Sequence, residues 1–195
     1  MSEVKNPILH HINLKTLRLQ EMINWYGVVV GAKVMHQFEG GAWMTNDNAN
    51  HRIALITTPK LIEHPDRHSH TGMHHSAFEY DSLDDLLATY DRLDKVGIKP
   101  HMTLDHGLTT SFYYADPDGN SVELQSDNFG DWEKSSHFIA TSEQFKANPI
   151  GAPVNPRAML EARQAGQSVE EVQRRAYAGE FPPSEPMDPL MPIDL

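Results

Sequence analysis

Twelve histidines in 195 residues are the first chemical signal, and four of them form two doublets, His10-His11 and His74-His75. Their surroundings repeat. Leu9-His10-His11-Ile12-Asn13-Leu14 is matched by Met73-His74-His75-Ser76-Ala77-Phe78, 64 residues further on. Strand side chains alternate faces. Over 8–15, Ile12 and Leu14 then point one way and His11 and Asn13 the other. Over 73–80, Phe78 and Tyr80 oppose His75 and Ala77, and over 120–126, Val122 and Leu124 oppose Ser121 and Glu123. If the apolar faces take helices, the opposite faces carry His11, His75 and Glu123. Two imidazoles and one carboxylate on one side of an ion leave its other side open, a set that suits non-haem Fe(II). A plainer reading stands beside this one. Strand histidines are usually solvated or hydrogen-bonded, and a glutamate on a half-exposed strand usually faces water. The equivalent places of the two histidines in the repeat favour ligation, but pattern alone leaves both readings open.

The elements that must position these residues follow from periodicity and turn chemistry. The first copy predicts a strand at 8–15, a helix at 18–30 ending at Gly27 or Gly31, and strands at 32–39, 42–46 and 51–58. Gly40-Gly41 and Asn48–Asn50 supply the turns. The second copy predicts a strand at 73–80 and a helix at 82–96, with Ser82 as N-cap and Gly97 as stop. Strands follow at 99–105, 109–115 and 120–126, the last two joined by Asp116-Pro117-Asp118-Gly119. The unit is therefore βαβββ, twice, in modules at about 8–58 and 73–126. The expected fold is α+β, a curved mixed-sheet cup formed as one domain over 1–130. Residues 131–195 form a helical and extended addition. Within it, Asn155-Pro156 starts one helix and Ser168 another, and five prolines in the last 16 residues indicate an extended end.

Composition narrows the partners. There are 27 acidic and 16 basic side chains, a net charge of −11, which disfavours phosphate backbones and hence nucleic acid. Cysteine is absent, which removes disulfides, thiolate metal sites, iron–sulfur clusters and a cysteine nucleophile. The opening MSEVKNPILH has neither a basic n-region nor an apolar h-region, and no apolar run approaches the ~20 residues of a membrane span. These features predict a cytoplasmic protein with no membrane partner. Exposed sheet edges predict a homo-oligomer.

The doubled unit resembles the vicinal oxygen chelate superfamily, and within it the one-domain form of the type I extradiol catechol dioxygenases. The residues that carry the resemblance are His11-Ile12-Asn13-Leu14-Lys15-Thr16, the Met73–Phe78 doublet segment, and Ser111-Phe112-Tyr113-Tyr114-Ala115-Asp116-Pro117-Asp118-Gly119-Asn120-Ser121-Val122-Glu123-Leu124. The resemblance implies that His11, His75 and Glu123 bind Fe(II), with Mn(II) the alternative. It implies that His51, in His51-Arg52-Ile53-Ala54-Leu55-Ile56, is an acid–base residue that binds no metal. It further implies that His106, in Asp105-His106-Gly107-Leu108-Thr109, and Tyr113 lie against the substrate. The implied substrates are a catechol-type aromatic diol and O2, both atoms of which enter the ring-opened product.

Two other readings share the fold. A glyoxalase-like isomerase or lyase would draw a carboxylate from each module, yet no Asp or Glu lies between Asp47 and Glu63. A metal-free binding protein would not need the three matched ligands. His10 and His74 are expected to pack, and His36, His101 and His137 to sit on the surface. His64, His68 and His70 are expected in a connection over 59–72 that either faces solvent or covers a substrate.

Overall fold

The computed structural model describes residues 5–193. The N-terminal reading drawn from MSEVKNPILH falls partly on residues 1–4, which lie outside the described residues. The chain divides into two compact units. The first runs up to Pro65 and takes in Asp116–Gly119; the second holds Asp66–Ala115 and everything from Asn120 onward.

In the first unit, β1 (Ile12–Lys15), α1 (Leu19–Val29), β2 (Lys33–Phe38), β3 (Gly41–Thr45) and β4 (Ile53–Ile56) follow in the expected order. The sheet order is β1-β4-β3-β2, with β1 parallel to β4 and the rest antiparallel. Helix α1 buries Met22, Ile23, Tyr26 and Val29, a spacing that places one apolar stripe on the sheet. It runs through Gly27 and ends at Val29. The 116–119 turn is held here. The Tyr26 hydroxyl donates to Asp116 Oδ2 at 3.2 Å, and Arg18 pairs with Asp118 at 2.7 Å and with Glu63.

The second unit repeats the plan with β5 (His75–Tyr80), α2 (Leu83–Asp94), β6 (Met102–Asp105), β7 (Thr109–Ala115) and β8 (Ser121–Asp127). Its order is β5-β8-β7-β6, again with the first strand parallel to the fourth, and a short β9 (Ala152–Pro153) extends the sheet beyond β6. The repeat seen in the sequence is thus a repeat of topology. Ser82 caps α2 by accepting from the Asp85 amide. Leu83, Leu86, Leu87 and Leu93 are buried on α2, as are Phe112, Tyr114, Val122 and Leu124 on β7 and β8. Tyr90 meets Phe112 edge-on at 5.9 Å. Each such fully buried side chain contributes about 1.5–3 kcal/mol of hydrophobic stabilisation.

The addition after β8 holds four helices. Helices α5 (Pro156–Gln164) and α6 (Val169–Tyr177) start at the expected caps, Asn155 and Ser168. Helices α3 (Trp132–Thr141) and α4 (Glu143–Ala147) were not anticipated; Asp131 and Ser142 cap them. This addition is built onto the second module. Arg157 spans Asp91 and Asp94 on α2 at 2.8 and 2.9 Å, and Arg163 pairs with Asp84 at 2.7 Å. No helix among the described residues is long and apolar enough to cross a membrane.

Candidate functional site

The second unit assembles four of the six expected residues into one chain of contacts. Parallel pairing sets His75 opposite Ser121 and Ala77 opposite Glu123. His75 and Glu123 therefore share the face away from α2, as alternation requires. His75 Nε2 lies 3.0 Å from Glu123 Oε2. Antiparallel pairing sets Tyr113 opposite Glu123, and the Tyr113 hydroxyl donates to Glu123 Oε1 at 3.0 Å. The same hydroxyl lies 3.0 Å from His106 Nε2.

Burial shapes these groups. Glu123 is only 5% exposed. Burial alone would raise its pKa, but hydrogen bonds from His75, Ser111 and Tyr113 outweigh it and hold the carboxyl below its ordinary value. Burial and the adjacent Glu123 charge push the Tyr113 phenol far up, so Tyr113 keeps its proton at any working pH. Burial lowers His106 below the usual imidazole value, partly offset by the Glu123 charge.

The loop carrying His106 is fixed from below. Asp105 is wholly buried. Its carboxyl accepts from the Gly107 amide at 2.8 Å and from Asn128 Nδ2 at 3.2 Å, and Thr110 Oγ1 lies 3.1 Å away. Burial raises this carboxyl from 3.8 to about 6. Gly107 has φ 83°, and a Cβ there would stand 2.7 Å from the Tyr177 ring on α6. Gly151 allows the chain before β9 to pass over Asp105, whose carbonyl oxygen would be 2.0 Å from an added Cβ.

The first unit brings the other two expected residues together. The His11 and His51 rings lie 4.4 Å apart, with His10 5.2 Å from His51. His51 Nδ1 is 2.7 Å from Asn50 Oδ1. An amide oxygen only accepts, so Nδ1 carries the hydrogen and Nε2 the lone pair. Desolvation, with the charges of His11 and His10, lowers His51 below the ordinary imidazole value. Trp43 stacks on His51 at 5.6 Å, and Phe38 and His36 continue the aromatic surface. An ion pair of Arg52 with Asp47 at 2.8 Å closes the turn before β4, and Arg52 also donates to the His10 carbonyl at 2.9 Å. The nitrogens of His10, His11 and His51 all lie within 4.8 Å of one another, so this trio could also hold an ion.

The first histidine of each doublet has a part that the sequence did not reveal. His10 Nδ1 lies 3.1 Å from His11 Nδ1, and His74 Nδ1 lies 2.8 Å from His75 Nδ1. Both are partners of the next ring and not packing residues. His101 is no free surface group either; it contacts the Asp188 carbonyl at 2.6 Å and Ser121 Oγ at 3.0 Å. The doublet spacing was the signal for His10 and His74. Asp105 and His101 gave none.

Comparison with known proteins bears on what this arrangement does. Residues 8–124 match the family described as the Glyoxalase/Bleomycin resistance protein/Dioxygenase superfamily. The chain is 38% identical to biphenyl-2,3-diol 1,2-dioxygenase 2 of Rhodococcus globerulus, over 92% of this chain and 94% of that protein. It is 40% identical to biphenyl-2,3-diol 1,2-dioxygenase 3 of the same organism, over 88% and 90%. Among solved structures, lactoylglutathione lyase from Agrobacterium tumefaciens aligns with a TM-score of 0.50 and 19% identity, over 63% of this chain and 96% of that one. A glyoxalase/bleomycin resistance protein/dioxygenase from Nocardioides aligns with a TM-score of 0.50 and 20% identity, over 64% and 86%. These two matches speak to the fold alone.

Proposed function

Given that this chain belongs to the glyoxalase/bleomycin resistance protein/dioxygenase superfamily, we propose that it is an extradiol ring-cleaving dioxygenase acting on a catechol-type aromatic diol. His11, His75 and Glu123 are its metal ligands and Fe(II) its metal. The observation that carries this is the approach of His75 Nε2 to Glu123 Oε2 at 3.0 Å. The Pro189 carbonyl, 2.9 Å from His74 Nε2, can only accept, so His74 Nε2 carries a hydrogen. An imidazole nitrogen beside a carboxylate oxygen suits a divalent metal, which would take the place of the hydrogen that His75 shares with Glu123. Mn(II) accepts the same donor set.

When bound, the metal supplies Lewis acidity toward the vicinal diol and open positions for substrate and O2. The residues do the rest. His51, neutral and with Nε2 free to accept, takes up a substrate proton and returns it. Trp43 and Phe38 offer an exposed aromatic surface beside it that suits an aryl ring. Tyr113 holds its proton and so acts as a hydrogen-bond donor and not as a base. His106 fixes that hydroxyl. An isomerase of the glyoxalase type is disfavoured because β4 offers only Ile53, Ala54, Leu55 and Ile56 where a second carboxylate would stand.

Anaerobic reconstitution with Fe(II), followed by O2 uptake on a panel of catechols that includes biphenyl-2,3-diol, tests the reading. Yellow ring-opened product is expected. His11→Ala, His75→Ala and Glu123→Ala should each lose iron and turnover. Full iron content in Glu123→Ala, with loss in His10→Ala, would move the metal to the His10–His11–His51 trio instead.

A further inference from the structure

We propose that the C-terminal segment Met187–Pro189 positions the metal ligand His75, using His74 as the connecting residue; this rests on the assignment of His75 as a ligand. The segment is anchored on the second unit at three successive residues. Met187 packs on the buried cluster of Met102, Leu104 and Tyr113. Asp188 pairs with His101 in both directions: its amide donates to the His101 carbonyl at 2.9 Å, and its carbonyl accepts from His101 Nδ1 at 2.6 Å. Pro189 then presents its carbonyl to His74 Nε2 at 2.9 Å. The next residue, Leu190, takes φ 51°, with its amide bound to Asp188 Oδ1 at 2.9 Å.

The geometry matches what a ligand at this position needs. His74 Nε2 donates to Pro189, and once His75 Nε2 holds the metal its hydrogen sits on Nδ1, 2.8 Å from His74 Nδ1, which can accept it. In the other neutral form of His75 the lone pair would sit on Nδ1, facing His74, and Nε2 could not bind a metal. His101 reinforces the arrangement from the β8 side. Its Nδ1 hydrogen goes to Asp188, so its Nε2 accepts from the Ser121 hydroxyl at 3.0 Å, and Ser121 lies opposite His75 in the sheet. The segment therefore reaches both strands that carry the two ligands. Partners of this kind, one bond beyond the ligand, typically change metal affinity 10- to 100-fold when removed.

Fe(II) affinity, measured anaerobically by chelator competition, tests this without reference to turnover. His74→Phe in the full chain should weaken Fe(II) binding by about 10- to 100-fold. A chain ending at Pro186, which also frees His101, should lose at least as much, and adding His74→Phe to it should lose no more than the truncation alone. His74→Asn, whose Oδ1 can stand in for Nδ1, should restore most of the affinity. In the zinc-loaded protein, nitrogen NMR should find the His75 hydrogen on Nδ1. Affinity within twofold of wild type in His74→Phe would overturn the proposal, whether or not the shortened chain folds. So would losses that multiply when the two changes are combined. His75→Ala separates the two ideas, because unchanged Fe(II) affinity there would reject His75 as a ligand and leave nothing for His74 to position.

Discussion

Replacing Asp105 by asparagine should change the way stability depends on pH. Asp105 is inaccessible to water, and burial raises its carboxyl from 3.8 to about 6 against the opposing bonds from Gly107, Thr110 and Asn128. The folded protein thus holds a proton that the unfolded chain releases. A folded-state value raised above the unfolded one gives stability that is fully present below about pH 4 and is lost as pH rises through about 6. The difference of about 2 units, at 1.36 kcal/mol each, is roughly 3 kcal/mol. His51, His101 and His106 are lowered in the folded state and act in the opposite sense, losing stability as pH falls below the unfolded value near 6.5. Comparing Asp105→Asn with wild type cancels these histidines. At acid pH the variant should be the less stable, by about 1–2 kcal/mol, because Oδ1 must still accept from Gly107 and the amide NH2, in the Oδ2 place, faces the Asn128 amide NH2 across 3.3 Å. By neutral pH it should have gained roughly 3 kcal/mol on wild type. Urea unfolding of the metal-free proteins across this range reads the difference directly. A difference that stays constant from acid to neutral pH would show that Asp105 is ionised in the fold throughout, and the burial argument would fall.

Three further outcomes are expected. His51→Gln should retain iron and diol affinity while turnover falls by roughly 10²–10⁴, the range for losing a positioned acid–base group; parallel loss of bound iron, measured on the purified protein, would make His51 a ligand. Tyr113→Phe should destabilise the metal-free protein by about 1–3 kcal/mol in urea unfolding, since Glu123 Oε1 loses its 3.0 Å donor in a buried setting. Unchanged stability would mean water replaces the hydroxyl. Gly107→Ala should cost at least about 1 kcal/mol, because it combines φ 83° with a 2.7 Å approach to Tyr177, and diol affinity measured beside it should fall as His106 is displaced.

Much of this was legible in the sequence because it is written locally. Apolar spacing marked α1 and α2, and Ser82, Asn155 and Ser168 marked helix starts that the structure bears out. The repeated doublet gave the repeated order of elements, and side-chain alternation opposite the helix-covered faces put His75 and Glu123 on like faces. The parallel pairing of first and fourth strands, which brings the two within contact, came only with the structure. Helices α3 and α4 escaped although Asp131 and Ser142 cap them; neither is held by a buried apolar face, since α3 buries only Ser135 and α4 buries none.

The parts that were not legible share a cause. Asp105 reads as an ordinary acid between Leu104 and His106, yet what matters is that Gly151 lets another stretch of chain pass directly over it. His74 reads as a packing residue, yet its ring is held by a carbonyl 115 positions away. His101 reads as surface until Asp188 covers it. In each case the decisive partner is backbone, and a backbone amide or carbonyl leaves no mark on residue type. Residue identity can announce which side chains do chemistry, because imidazole and carboxylate are rare on apolar strands. It cannot announce which nitrogen of an imidazole holds the hydrogen. That is decided by the acceptor the fold delivers, and at His74 that acceptor is the Pro189 carbonyl, 115 positions along the chain.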